Sequence, residues 1–161
     1  MIDTPPLQGI TVVSLEHAIA APLCTRQLAE LGAQVIKVER RGTGDFARHY
    51  DDRVKGQSSH FIWTNRSKKS LTLDLKHQDS GPILHRLLES ADVLVQNLAP
   101  GAANKMGLGF ERLSVRRWVM VDATETHSHQ RLRCLIRQHV MGLVRMHSGQ
   151  GRNTFVPSMG Q

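Results

Sequence analysis

Cysteine is scarce in the 161 residues: Cys24 and Cys134 are the only two, far apart and without a CxxC spacing. That pattern argues against a disulfide framework and against a zinc knuckle, and both residues are expected as free thiols with no metal site. Long apolar runs are missing too. No stretch approaches the roughly 20 residues a membrane helix needs. The first residues, "MIDTPPLQG", lack both a basic segment and a continuous apolar core, so no secretory signal is read and a cytoplasmic location is the expectation. Hydrophobic residues at 40% and charged ones at 22% are ordinary for a globular chain.

Lysine disappears from residue 115 onward. Residues 1–114 carry 14 Lys+Arg against 12 Asp+Glu, a net of +2, whereas residues 115–161 carry 7 against 2, all seven of them arginine, a net of +5. The overall charge of +7 would otherwise suggest nucleic acid as a partner. Here the excess belongs mainly to the tail, which has one Trp and one Phe and no interleaved aromatic pattern. A nucleic-acid binder working through counterion release therefore ranks last among the functions considered.

What is present before residue 115 is an alternation of strand-like and helix-like patterns. "ITVVSL" at 10–15 is a β-branched run of strand length, and "AAPLCTRQLAELGA" places Leu23, Gln27, Leu28 and Leu31 at helical spacing with Gly32 as the stop. "VIKV" at 35–38 completes a βαβ unit. "SLTLDL" at 70–75 alternates with period two, "GPILHRLLESA" reads as a helix with Pro82 near its start, and strand "VLVQ" at 93–96 follows. The pattern predicts an α/β, Rossmann-like fold with a largely parallel sheet and flanking helices. In the tail, "WVMVD" suits a further strand and "RLRCLIRQHVMGLVRM" spaces Leu132, Leu135, Ile136, Val140, Leu143 and Val144 as a basic amphipathic helix. The last residues, 145–161, show almost no apolar periodicity and are expected to be poorly ordered.

Four candidate strands end in polar or glycine-rich segments: "EHAIAAP", "ERRGTGD", "DLKH" and "QNLAPGAANKMG". A turn such as Gly42-Thr43-Gly44 is usually only a turn. In open α/β sheets, however, ligands sit beyond the carboxyl ends of the strands. A ligand lying across these four segments would meet backbone amides at helix starts together with Arg40, Lys76 and Lys105, a setting that favours phosphate.

The segments "PLQGITVVSLEHAIAAPLCTRQLAELGAQVIKVERRGTGDFAR", "TNRSKKSLTLDLK" and "ADVLVQNLAPGAANKMGLGFERL" together resemble, in order and spacing over residues 6–113, the N-terminal part of family III (CaiB/BaiF-type) coenzyme A transferases. The resemblance implies a Rossmann-like large domain with a smaller second domain, an interlocked homodimer, and transfer of CoA between carboxylic acids. It implies acyl-CoA and a small carboxylic acid as substrates, with no permanently bound cofactor. Residues 1–114 would be part of the large domain and residues 115–161 an unrelated, partly disordered basic tail. Carried over by position, the CoA-contacting segments fall on Ile19 and Ala20, on Arg40, on Leu73, Asp74, Leu75 and Lys76, and on Asn97, Leu98 and Ala99 with Lys105. Gly42 and Gly44 would then let the chain turn away so that Arg40 faces the nucleotide portion of CoA, with Glu39 and Asp45 fixing the turn. Each position also has a plainer account: Arg40 and Lys76 as surface charges, Asn97 as a helix cap.

The chemistry that the resemblance implies needs an aspartate nucleophile, which attacks the thioester to give a mixed anhydride and then an aspartyl-CoA thioester. It lies in the family beyond a strand and a "GYG"-like loop, and no such segment is found here. Asp122 stands too close to the matched region and in different surroundings, so no catalytic residue is assigned. The resemblance ends near Leu113, and the codons for Trp118 to Thr126, read two bases on, permit Gly-Tyr-Gly-Gly-Arg-Tyr-Arg-Asp. A gene truncated by a frameshift after about residue 114, giving an inactive enzyme fragment, is therefore the first expectation. A non-catalytic module that still binds CoA or associates with an intact relative is the second. The texture of residues 46–68 is similar to members acting on small dicarboxylates.

Overall fold

The computed structural model describes residues 4–114, 118–124 and 131–137. Four strands, β1 (Thr11–Leu15), β2 (Gln34–Glu39), β3 (Lys69–Thr72) and β4 (Val93–Gln96), lie side by side and parallel. The fold is α/β with a parallel four-stranded sheet and flanking helices. Val12 stands opposite Val35 on one side and opposite Val93 on the other, which puts β1 at the centre. Three of the expected strands lie within a residue of their predicted limits. The third ends at Thr72 and not at Leu75. Leu73 still donates its N–H to Glu39 O (2.9 Å), but Asp74 then folds the chain back, its Oδ1 accepting the Lys76 N–H (3.0 Å) and its carbonyl the His77 N–H (3.0 Å). An aspartate that satisfies the backbone two residues on competes with the ladder, and the strand stops.

Central parallel strands are covered on both faces, so they read as nearly continuous apolar runs. Helix α1 (Ala20–Glu30) covers one face, where Ala21, Leu28 and Ala29 pack with Val12, Val35, Val93 and Val95. Helix α3 (Ser80–Glu89) covers the other, where Leu84 and Leu88 meet Val13, Leu15, Val38 and Leu94. Truncating one such leucine to alanine costs about 2–5 kcal/mol. Gly32, with φ 102, ends α1 as expected, and a side chain there would run into Pro5. Between β2 and β3 lie a 3-10 turn (Phe46–His49) and helix α2 (Ser59–Asn65), capped by the Ser58 hydroxyl, which accepts the Phe61 N–H (3.3 Å). Two short helices, α4 (Ala102–Lys105) and α5 (Phe110–Ser114), follow β4.

Two more strands, β5 (Trp118–Thr124) and β6 (Arg131–Arg137), complete the order β3-β2-β1-β4-β6-β5, with β6 antiparallel to both β4 and β5. The strand expected at "WVMVD" is present. The helix expected from Leu132 onward is not: residues 131–137 form β6. Arg131, Arg133 and Arg137 alternate with Leu132, Cys134 and Ile136, and so short a run fits period two as well as period 3.6. An open edge of β4 then decides, because pairing satisfies its backbone. The remainder of that helix, residues 138–144, and the expectation for residues 145–161 lie outside the described residues. Among the described residues no helix is long and apolar enough to cross a membrane.

Candidate functional site

Strands β2 and β3 extend the sheet on one side of β1, while β4 is added on the other, so the order in which strands are laid down reverses between β1 and β4. At such a point the loops leaving neighbouring strands part and open a crevice beyond the carboxyl ends. A cleft of ≈ 50 Å³ lies there, walled by Glu16 and His17 after β1, by Glu39, Arg40, Gly44, Asp45 and Phe46 after β2, and by Leu75 and Leu98. The parting loops are tied across its back. Asn97 Oδ1 accepts the His17 N–H (3.1 Å), and its Nδ2 donates to His17 O (2.9 Å). The next residue, Ala18, sits at φ 66, a conformation costly for a residue with a Cβ, and its N–H donates to Asp45 Oδ1 (3.1 Å).

The turn after β2 is built around two buried carboxylates. Gly42 (φ 81) and Gly44 (φ 63) supply left-handed backbone, and the Gly44 N–H donates to Arg40 O (3.1 Å). At Gly44 a Cβ would lie 2.8 Å from both Glu39 Oε2 and Arg48 Nε. Glu39 accepts from the Asp45 N–H (3.0 Å), from Ser70 Oγ (2.8 Å) and from Arg48 through Nε and Nη2 (2.8 Å each). Burial pushes the Glu39 carboxyl up, but the Arg48 and Ser70 hydrogen bonds and the Asp45 amide outweigh it and hold it at about 2. Arg48 in turn lies over the Phe61 ring, 3.8 Å from its centroid. The expectation that Glu39 and Asp45 fix this turn is met.

Behind the turn, two lysines are buried with their counter-ions. Lys37 Nζ donates to Asp45 Oδ2 (2.6 Å) and to Asn65 Oδ1 (2.8 Å), and Glu16 Oε1 is 4.0 Å away. Lys68 Nζ donates to Glu16 Oε1 (2.7 Å) and Pro22 O (2.7 Å), while Thr25 Oγ1 donates to Glu16 Oε2 (2.7 Å). The lysine side chains are 1% and 2% exposed. Desolvation lowers the Lys68 ammonium to about 8 although Glu16 opposes it. The His17 ring leans on Phe46, with centroids 5.1 Å apart. Burial lowers its pKa, Asp45 pulls the other way, and Arg40 and Lys37 add to the lowering, so the ring is neutral at neutral pH.

Among the residues singled out from sequence, Arg40, Leu75 and Leu98 line this cleft together. Ile19 and Ala20 open α1 beside it, Ile19 40% exposed. Leu73 packs into the core with Leu75 and Leu98, which leaves its backbone for any contact. Asp74 holds the turn that exposes Lys76. Asn97 caps no helix: its amide is committed to His17. Ala99 accepts the Ala102 N–H (3.0 Å) ahead of α4. Lys105 stands in a separate, larger cleft of ≈ 390 Å³. Sequence reasoning missed Glu16, His17, Lys37, Asn65 and Lys68. A lysine inside the apolar strand "VIKV" was the available signal, since a buried charge in a central strand demands partners.

Chemically the Arg40 cleft is built to hold and not to attack. Glu16, Glu39 and Asp45, the carboxylates in its wall, each accept two or more hydrogen bonds, which occupy the oxygens a nucleophile would need. Asp122 stands in β5, in register with Arg133 of β6.

The family model described as CoA-transferase family III matches residues 7–129. A formyl-CoA:oxalate CoA-transferase from Afipia carboxidovorans is 41% identical over 108 residues, 66% of this chain and 26% of that protein. The human succinyl-CoA:glutarate CoA-transferase is 38% identical over 112 residues, 69% of this chain and 26% of that protein. Among solved structures, a CAIB/BAIF family protein from Brucella suis superposes with a TM-score of 0.64 at 33% identity, covering 70% of this chain and 31% of that one. A hypothetical protein from Mycobacterium tuberculosis gives 0.64 at 38% identity, with the same coverage. The chain belongs to CoA-transferase family III, and it spans about a quarter of the length of the curated relatives it matches.

Proposed function

We propose, with membership of CoA-transferase family III as the premise, that this chain supplies the acyl-CoA-binding part of an enzyme that moves coenzyme A between carboxylic acids. Acyl-CoA is then a substrate and no cofactor is permanently bound. The names of the relatives, formyl-CoA:oxalate and succinyl-CoA:glutarate, support a short-chain acyl-CoA donor and a small dicarboxylate acceptor. The observation that carries the proposal is the position of Arg40. It is an exposed guanidinium at the rim of the switch-point cleft, on a turn whose every buried charge is matched. A planar cation beside the apolar walls of Leu75 and Leu98 suits the face of a purine, and the Ile19–Ala20 backbone offers the start of α1 to the rest of the ligand. The resident carboxylates are committed to ion pairs. The acyl anhydride and the enzyme-bound thioester therefore form on a carboxylate from outside the cleft wall. A homodimer and a cytoplasmic location are part of the same proposal.

Binding without turnover is the second reading, favoured by those same committed carboxylates. Calorimetric titration with CoA tests both. Folded chain should bind CoA, and Arg40→Ala should weaken it by about 1–3 kcal/mol, the range for a charge-assisted contact. Following CoA esters by mass with succinyl-CoA and a panel of dicarboxylates then separates transfer from binding. A folded sample with no detectable CoA binding would remove both readings.

A further inference from the structure

Three carboxylates stand in the wall of the Arg40 cleft, and each is neutralised by a different cation: Glu39 by Arg48, Asp45 by Lys37 and Glu16 by Lys68. The wall is neutral only while all three cations keep their protons. Lys68 lies between α2 and β3 and does not line the cleft. All three hydrogens of its ammonium are in use, with Glu16 Oε1 accepting at 2.7 Å, Pro22 O at 2.7 Å and Asn65 Oδ1 at 3.2 Å. A neutral amine has only two hydrogens, so one of these oxygens would face its lone pair. The groups that face Lys68 come from four elements: Glu16 after β1, Cys24 in α1, Lys37 in β2 with Asp45 in the turn beyond it, and Asn65 in α2. Burial and Glu16 push the Cys24 thiol up, so it is uncharged at neutral pH. Lys37 Nζ is 4.0 Å from Glu16 Oε1 but is already committed to Asp45 at 2.6 Å. Loss of the Lys68 proton therefore leaves one negative charge uncompensated, on Glu16 in the wall itself.

We propose that Lys68 is a positioning residue that acts through Glu16: it keeps the cleft wall neutral and so makes the binding of an anionic ligand depend on its own proton. The ligand is the CoA of the function proposed above, and the inference rests on that reading. An anion that enters a neutral wall meets Arg40, whereas beside a bare Glu16 it meets like charge away from water. Desolvation brings the Lys68 ammonium to about 8. The share of chains with Lys68 charged then falls from about nine-tenths at pH 7 to about one-tenth at pH 9, and apparent affinity falls with the competent share, about tenfold. A lysine at the ordinary 10.5 stays charged over that range. Stability has the opposite sign. A folded-state pKa below the unfolded one means that the unfolded chain holds more protons, so stability rises as pH goes from 8 toward 10.5. Affinity that falls while stability rises is not what a purely structural lysine would give.

The test is calorimetric titration of the full chain with CoA at pH 7, 8 and 9, using wild type, Lys68→Met and the double variant Lys68→Met/Glu16→Gln, with circular dichroism to check each fold. Titration of CoA itself is common to the three proteins and cancels in the comparison. Wild type should lose about tenfold in affinity from pH 7 to pH 9. Lys68→Met leaves Glu16 unmatched throughout, so it should bind about tenfold more weakly than wild type at pH 7 and no more weakly at pH 9. The double variant removes both charges together and carries the comparison if Lys68→Met does not fold. It should bind within about threefold of wild type at pH 7 and stay level to pH 9. Urea unfolding without ligand should show stability rising above pH 8 in wild type relative to the double variant. The same fall in CoA affinity in wild type and the double variant overturns the inference and leaves the CoA proposal standing. So does a double variant as weak at pH 7 as wild type at pH 9, and so do parallel stability curves. No CoA binding by folded wild type at pH 7 removes the proposed function, and the inference with it.

Discussion

The two clefts on either side of Leu75 are opposite solutions to the same problem of placing charge near a ligand. Around the Arg40 cleft, Glu16, Lys37, Glu39, Asp45, Arg48 and Lys68 neutralise one another through bonds of 2.6–2.8 Å, and Arg40 stands at the rim with no ion pair among the described residues. Around the second cleft, Lys105 and Arg112 make no ion pair and His85 Nδ1 no hydrogen bond among the described residues. A matched network costs a great deal to disturb but fixes backbone where the ligand needs it: Asp45 holds Ala18 in its left-handed conformation, and Glu39 holds the amide of Asp45. An unmatched set contributes nothing to stability and keeps its potential for what binds. The network behind the first cleft should therefore answer to mutation chiefly in stability, and Arg40 and the second cleft in affinity.

The sharpest way to break that comparison is Lys37→Met. It leaves Asp45 buried without its cation, and a broken buried pair costs about 3–5 kcal/mol. Urea unfolding should show that loss, whereas Arg112→Gln should stay within about 0.5 kcal/mol of wild type. A Lys37→Met protein as stable as wild type would mean that the network is not holding the turn.

Next in size is the acid response. The Glu39 carboxyl titrates at about 2 in the folded chain against an ordinary 4.5. A folded-state pKa below the unfolded one gives stability that is present above pH 4.5 and is lost as pH falls toward 2. The difference corresponds to about 3 kcal/mol. Stability measured from pH 6 to pH 2 should fall more steeply in wild type than in Glu39→Gln, and parallel curves would reject the assignment.

The smallest effect separates the two glycines of the turn. Gly44→Ala combines a left-handed φ with contacts of 2.8 Å to Arg48 and Glu39, while Gly42→Ala meets open space at a similar φ. We expect about 1 kcal/mol for Gly42→Ala from backbone strain alone and about 2 or more for Gly44→Ala. Equal losses in thermal unfolding would show that the Glu39–Arg48 pair gives way freely.

Much of this was legible in the sequence, and the parts that were not share a cause. Strands β1, β2 and β4 announce themselves because central parallel strands are apolar throughout, and the Gly42–Gly44 turn because left-handed backbone calls for glycine. The stop of β3 at Thr72 was hidden because "SLTLDL" keeps its alternation through Leu75, and only the local bonding of Asp74 breaks it. The helical pattern runs over residues 131–146, and its first seven residues, too few to separate the two periods, form β6 on the free edge of β4. In the site, Arg40 stands out by its position after a strand, and Leu75 and Leu98 follow only from the resemblance; all three line the cleft. Lys37, Lys68 and Asn65 do not stand out, because the carboxylates and lysine they meet lie 8 to 52 residues away, and spacing along the chain says nothing about such pairs. Asn97 stands out by its place after β4, but the plainer account of it as a helix cap does not hold, because its amide clamps the β1 loop 80 residues earlier.

Amide hydrogen exchange with and without CoA, followed by mass spectrometry, addresses the central claim most directly. Slower exchange is predicted at residues 17–20 and 41–45, around the Arg40 cleft, and at 104–107, beside the larger cleft that holds Lys105, with the already protected strand at 34–39 unchanged. CoA that binds while residues 17–20 and 41–45 exchange as fast as in the free chain would contradict it.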